Sequence, residues 1–324
     1  MTNSSSPIAF LFPGQGSQAV GMGKELADSY PVARRTFEEA DDALGYKLSQ
    51  LCFEGPEEKL KLTEITQPAI LTASIAAWHV LREKGLSADF LAGHSLGEYS
   101  AHVAAGTFTF ADAVRTVRNR GKYMQEAVPV GVGAMAAILG MPLDQVLEIS
   151  NQAANSAARG EVCQAANINS PEQIVISGNA AAVDRAIGLA VERGAKKAVR
   201  LPVSAPFHCS LMQPAQDRLA LDLNALTFQN PSSSCPLVCN VDAAIVNSAE
   251  ASRETLIHQV TGSVRWEPSV RRLIENGVGL FIEVGPGKVL WGLMRQIDRS
   301  KTCLTVSDET SLQKTLSQIA TMAA

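Results

Sequence analysis

The chain has 324 residues, of which 46% are hydrophobic and 19% charged, with a formal net charge of −4. That length supplies one large domain or two lobes with ample core material, and the composition fits a soluble globular enzyme. A slightly acidic balance excludes a nucleic-acid footprint, and no apolar run approaches the roughly 20 residues of a membrane span.

Met1-Thr2-Asn3-Ser4-Ser5-Ser6-Pro7 is a polar tail, and the apolar run behind it is too short for the core of a signal peptide. The six cysteines, at 52, 163, 209, 235, 239 and 303, form no framework, which indicates a reducing cytoplasm. Cys235 and Cys239 are the closest pair but have no CxxC partner, so no metal site is expected. Residues 8–12 read as a buried strand and Pro13-Gly14-Gln15-Gly16-Ser17-Gln18 as the loop after it. Gly14-x-Gly16-x-x-Ala19 loosely fits a dinucleotide fingerprint, but that fold needs a second strand ending in an acid about 20 residues on. Residues 24–44 are helical in pattern instead, so the loop is one that can bring donors to a neighbouring site, with Gln15 its most useful polar group.

Residues 57–81 read as helices, with Thr66-Gln67-Pro68 as a helix start. A short apolar run, Asp89-Phe90-Leu91-Ala92, then leads into Gly93-His94-Ser95-Leu96-Gly97, and a helix-forming run, 96–105, leaves it and stops at Gly106. Strand, tight turn with glycine on both sides of serine, then helix is the setting of a G-x-S-x-G nucleophile elbow. The turn lifts the Ser95 hydroxyl clear of the sheet. The Leu96 N–H lies at the helix N-terminus, where unpaired donors and the helix dipole favour an oxyanion. Residues 111–127 form another helix. At about 100° per residue, Val114, Val117, Gly121 and Met124 make one stripe, and Arg115, Arg118 and Lys122 lie opposite. Arg120 projects roughly 40° beyond the stripe's edge, a place open both to a cleft and to solvent.

Residues 133–140 read as a strand, 143–154 as a helix, 162–169 and 173–177 as two strands around the turn Ser170-Pro171-Glu172, 181–193 as a helix and 198–203 as a last strand. The order βαββαβ is that of a ferredoxin-like unit, inserted in a larger α/β lobe because strands and helices resume after it. The basic cluster Lys196, Lys197 and Arg200 reads as a solvated face. Leu201-Pro202-Val203-Ser204-Ala205-Pro206-Phe207-His208 returns to the main lobe, held extended by its prolines, so that His208 sits at a lobe junction. Further on, residues 279–284 read as a strand and Gly285-Pro286-Gly287 as the opening of a helix, 288–297.

A serine hydroxyl needs a base. His79 and His102 lie in helices, His258 lies in a helical stretch, and His94 precedes the serine and should point away from it; His208 is the best placed. The acids before His208, Asp184 and Glu192, belong to the inserted lobe, so a backbone carbonyl can take the orienting role and leave a dyad.

Four motifs carry a family resemblance: Phe12-Pro13-Gly14-Gln15-Gly16-Ser17-Gln18, Gly93-His94-Ser95-Leu96-Gly97-Glu98-Tyr99, Arg120-Gly121-Lys122-Tyr123-Met124-Gln125 and Pro206-Phe207-His208. In order and spacing the chain resembles the malonyl-CoA:acyl carrier protein transacylases from about Ile8 to its C-terminus. The resemblance implies an α/β fold, with a hydrolase-like lobe of mainly parallel sheet (1–130 and 204–324) and an inserted ferredoxin-like lobe (131–203). It implies Ser95 as nucleophile, His208 as base, backbone N–H groups of Gln15 and Leu96 as the oxyanion hole, and Arg120 as the site for the malonyl carboxylate. Gln259, in Gln259-Val260-Thr261-Gly262-Ser263-Val264-Arg265-Trp266, matches the family glutamine whose carbonyl orients the histidine, although Gly262-Ser263 replaces a frequent Asn-Pro. Phe207 before the histidine resembles malonyl-selective relatives. The implied reaction moves malonyl from malonyl-CoA to the phosphopantetheine thiol of holo acyl carrier protein through a malonyl-serine, for fatty acid synthesis. It needs no cofactor or metal and is carried out by a cytoplasmic monomer. A serine hydrolase or thioesterase using the same elbow, and a trans-acting acyltransferase of a polyketide synthase, are the alternatives.

Overall fold

In a computed structural model, residues 6–156, 160–203 and 205–323 are described, so residues 1–5 of the polar tail and Ser204 at the expected lobe boundary lie outside the described residues. The described residues form ten strands: β1 (Ile8–Phe12), β2 (Phe90–Gly93), β3 (Gly133–Leu139), β4 (Cys163–Ser170), β5 (Gln173–Asn179), β6 (Lys197–Arg200), β7 (Leu237–Val238), β8 (Ile245–Val246), β9 (Leu280–Val284) and β10 (Thr302–Val306). They make two sheets. One has the order β10-β9-β1-β2-β7-β8 and the other β4-β5-β3-β6.

The first sheet is parallel except for its β7–β8 edge. Its central strands are buried and, apart from Glu283, apolar: Ala9, Phe10, Leu11 and Phe12 of β1 are buried, as are all five residues of β9. Continuous apolar runs of this kind are what a parallel sheet covered by helices on both faces requires. The β1 and β2 strands end level with each other, Phe12 opposite Gly93, so the loops leaving them meet above one edge of the sheet. The second sheet is antiparallel in every pairing, and its order is the 2-3-1-4 arrangement of a ferredoxin-like unit. Two helices, Leu143–Asn155 and Ala180–Glu192, cover one face of it over a core of alanine, valine and isoleucine.

Two expectations need correction. The helix placed to start at Thr66-Gln67-Pro68 runs Thr63–Glu83 with Pro68 inside it. Its first turn is held by the Thr66 hydroxyl, which donates to Leu60 O at 2.6 Å and to Leu62 O at 3.0 Å, and every residue from 66 to 77 is buried. That burial outweighs the hydrogen bond Pro68 cannot make. The strand expected over 198–203 stops at Arg200, because Pro202 has no N–H to continue the ladder.

Candidate active site

The elbow follows β2 directly. A Cβ at Gly93 would lie 1.9 Å from Gly97 C, and one at Gly97 would lie 2.0 Å from Phe12 O at the end of β1, so the turn fits against the sheet only with hydrogen at both positions. Between them Ser95 takes φ 52, a left-handed conformation costly for a residue with a side chain. Two other described non-glycine residues have positive φ, and one of them is His208, at φ 59. The two strained residues meet. Ser95 Oγ lies 2.7 Å from His208 Nε2, and His208 Nδ1 lies 2.9 Å from the backbone carbonyl of Gln259. A carbonyl can only accept, so Nδ1 carries the proton and Nε2 is left to accept from the Ser95 hydroxyl.

Asn240 fixes the turn from below. Its Oδ1 accepts from Ser95 N–H at 2.7 Å and its Nδ2 donates to Gly93 O at 2.7 Å, so one side chain spans both limbs of the elbow. Among the described residues the backbone N–H groups of Gln15 and Leu96 have no hydrogen-bond partner, and both residues line the cavity in front of Ser95. Leu96 stands at the N-cap of the helix Gly97–Ala104. Gln15 is exposed on the loop after β1, which Ser17 closes by donating its hydroxyl to Gly14 O at 2.8 Å.

Arg120 corrects the helix projection. The helix Phe110–Glu126, capped by the Thr109 hydroxyl, carries Arg120 inward at 1% exposure, not along a flank. Its Nη1 donates to Gln67 Oε1 at 2.8 Å, and its Nη2 donates to Gln259 Oε1 at 2.9 Å and to Ser95 Oγ at 3.2 Å. Its ring neighbour is Tyr99, 5.5 Å from the guanidinium carbon. Burial lowers the Arg120 pKa, opposed by Tyr99 and Glu98, and a guanidinium so placed stays protonated. Arg118, expected opposite the stripe, is half-buried with its guanidinium 5.9 Å from the Tyr46 ring. The helix Pro31–Leu44 packs against this side, where Arg115 Nε also donates to Ala43 O at 3.0 Å, so the polar-facing positions are partly covered.

The His208 pKa is pushed down to about 3, first by burial and then by the Arg120 charge, so the ring is a neutral acceptor at neutral pH. His94 points away from Ser95: its Nε2 lies 2.8 Å from Asn169 Oδ1 and its ring 5.5 Å from that of Trp266. A cavity of about 250 Å³ opens at Ser95, walled on the elbow side by Gln67, Arg120 and His208 and on the other by Met135 of β3, Asn167 and Asn169 of β4 and Val175 of β5. It therefore lies between the two sheets, the place where ligand clefts are built most often.

The structure thus brings Ser95, His208, Arg120, Gln15 and Leu96 to one cavity, with Gln259 bonded to Arg120 and His208. Gln67 and Asn240 are polar members that sequence reasoning passed over. Gln67 was visible only as part of a helix-start pattern, and Asn240 follows a two-residue strand with no local marker. Among the described residues no cluster of metal-ligating side chains occurs, and no helix is long and apolar enough to cross a membrane.

The chain is similar to known proteins over nearly its whole length. Residues 9–315 match the acyl transferase domain family. A malonyl CoA-acyl carrier protein transacylase of Bacillus subtilis is 50% identical over 308 residues, covering 95% of this chain and 96% of the relative. The crystal structure of a malonyl CoA-acyl carrier protein transacylase from Clostridium perfringens superposes with a TM-score of 0.94 at 41% identity, covering 98% of each chain. A malonyl-transacylase solved in complex with its type II PKS acyl-carrier protein superposes with a TM-score of 0.92 at 46% identity, covering 97% of this chain and 100% of that one.

Proposed function

We infer that this chain, which belongs to the acyl transferase domain family, transfers malonyl from malonyl-CoA to the phosphopantetheine thiol of an acyl carrier protein through a malonyl-serine. The observation that carries the reading is that one oxygen, Ser95 Oγ, lies 2.7 Å from a neutral imidazole nitrogen and 3.2 Å from a buried guanidinium. The imidazole makes the hydroxyl a nucleophile, and the guanidinium marks where an acyl group bearing its own carboxylate would be held.

Ser95 Oγ attacks the thioester carbonyl while its proton passes to His208 Nε2, and the Gln259 carbonyl holds the ring in the accepting tautomer. The oxyanion forms beside the N–H groups of Gln15 and Leu96. Collapse of the tetrahedral adduct expels the coenzyme A thiolate, which takes the proton back from His208. The carrier's thiol then attacks the malonyl-serine by the same steps in reverse, giving ping-pong kinetics. Arg120 presents a planar fork to the malonyl carboxylate, which a lysine could not match. The enzyme on this reading is a cytoplasmic monomer that supplies extender units for fatty acid synthesis and brings no cofactor of its own, since the phosphopantetheine arrives on the carrier.

Incubation with malonyl-CoA alone should add one malonyl group to the intact mass, located on the peptide that contains Ser95. Coenzyme A release should then stop after one turnover and resume when holo carrier protein is added. Release that continues without carrier would make the protein a hydrolase, and a label on any other peptide would overturn the choice of nucleophile.

A further inference from the structure

The Gln259 side-chain amide is held at both ends. Its Oε1 accepts from Arg120 Nη2 at 2.9 Å, while its Nε2 donates to Ser95 O at 2.9 Å and to Glu98 Oε2 at 2.7 Å. An amide nitrogen has two hydrogens, and here each has its own acceptor. The orientation of the amide is therefore specified: turned over, it would present N–H groups to Arg120, a pure donor, and oxygen to two acceptors. Glu98 is the acceptor that depends on a side chain. It is fully buried in the first turn of the helix Gly97–Ala104, and the same Oε2 also accepts from Asn240 N–H at 3.1 Å. Asn240 is the residue whose side chain spans the elbow. One carboxyl oxygen thus holds both the residue that seats Arg120 and the residue that seats Ser95.

We propose that Glu98 is a positioning residue for malonyl selectivity: by fixing the Gln259 amide with Oε2 it aims Arg120 at the acyl carboxylate without contacting substrate. The inference rests on the reading in which Arg120 takes that carboxylate. Two further observations favour it. Glu98 makes no ion pair with Arg120, and the guanidinium's two side-chain acceptors within the protein besides Ser95 Oγ are the neutral amides of Gln67 and Gln259. A carboxylate in direct contact would compete with substrate for the fork, whereas one set behind an amide orders the fork and leaves it open. Burial also pushes the Glu98 pKa up to about 7, while Oε1 has no partner. A proton can therefore reside on Oε1 without disturbing what Oε2 accepts, so the positioning depends on where the oxygen is and not on charge.

The test sets reach against charge. Glu98→Asp keeps the charge but withdraws the oxygen by one methylene. Glu98→Gln removes the charge but keeps an acceptor oxygen in place. Both are small changes suited to a buried site. With kcat and KM measured for malonyl-CoA and acetyl-CoA, Glu98→Asp should lower the malonyl-to-acetyl ratio of kcat/KM by about 10- to 100-fold, largely through the malonyl-CoA KM. Glu98→Gln should recover most of that ratio. On a Gln259→Ala background, Glu98→Asp should have little further effect on the ratio, because the path between Glu98 and Arg120 is already broken. Equal losses on both substrates in Glu98→Asp would reduce Glu98 to a structural role and overturn the proposal. So would a ratio lost in Glu98→Gln but kept in Glu98→Asp, or a full Glu98→Asp effect without Gln259. Arg120→Ala, measured alongside, separates the two levels. A ratio unmoved by Arg120→Ala sinks the carboxylate reading itself, whereas one that moves there and not in Glu98→Asp sinks only the inference about Glu98.

Discussion

Replacing Arg120 with alanine removes a guanidinium that donates to Gln67 Oε1, Gln259 Oε1 and Ser95 Oγ from a site 1% exposed. Two consequences follow, and they must be told apart. The first is structural. Two buried amide oxygens lose their donor, at about 1–3 kcal/mol each, so stability should fall by roughly 2–6 kcal/mol and the melting temperature by on the order of 10 °C. That loss applies whichever substrate is offered. The second is selective. A carboxylate paired with a desolvated guanidinium gains about 2–5 kcal/mol over an acyl group that leaves the cation unpaired. If 3–4 kcal/mol of that is lost, the ratio of kcat/KM for malonyl-CoA to that for acetyl-CoA should fall by about 10²–10³-fold. The assay is coenzyme A release with saturating carrier protein, at a temperature where the variant is shown to be folded. Because stability cancels in the ratio, equal losses on the two substrates would refute the carboxylate role outright. Lys122→Ala on the same helix is the control, since that side chain is 51% exposed and pairs only with Glu126 at 4.0 Å. Arg118 cannot serve, because it packs over Tyr46.

Two further outcomes concern stability. His79, His94, His102 and His208 all have pKa values lowered chiefly by burial, His79 to about 4 and His102 and His208 to about 3. A group depressed in the folded state contributes stability above its unfolded pKa of roughly 6.5 and loses it as pH falls from there through the folded value. Glu98 and Glu283, raised by burial to about 7, act in the opposite sense, and their contribution is lost as pH rises through that value. Four groups outweigh two, so the melting temperature should drop between pH 7 and pH 5, and a melt that rises or stays level on acidification would contradict the neutral buried imidazoles. Gly93→Ala should prevent the elbow from closing, since its Cβ would lie 1.9 Å from Gly97 C, backbone that cannot move aside. A variant melting within a few degrees of the parent would show that the turn has room the geometry denies.

The elbow was legible because its constraint is local: a strand, two glycines and a serine within five residues dictate φ 52 at Ser95 and the tight approach to β1. The ferredoxin-like unit was legible because its six elements fall in one unbroken stretch, 133–200, and each has a clear pattern of its own, although β3 pairs with β5 and β6 and not with its neighbour in sequence. Where the reading fell short, the deciding partner lay far along the chain. Arg120 projects to a flank when its helix is considered alone, and it is interior because the helix Thr63–Glu83 brings Gln67 against it and Gln259 reaches it from 139 residues on. The same distance hid the clamp: Asn240 stands 145 residues from the Ser95 N–H it accepts. Glu283 escaped the reading at shorter range. It is buried on β9, yet it accepts from Leu290 N–H at 3.0 Å and Trp291 N–H at 2.8 Å, so the helix Val289–Ile297 begins on a carboxylate seven residues back, across the Gly285-Pro286-Gly287 turn. Periodicity reports which face of an element is apolar, and it carries no information about a polar side chain whose partner sits on another element. A buried polar atom must nevertheless be paired, since an orphan costs more than the bond returns. The base and the residues that make the chemistry selective are therefore placed by the assembled fold, whereas the position of the nucleophile alone follows from five adjacent letters.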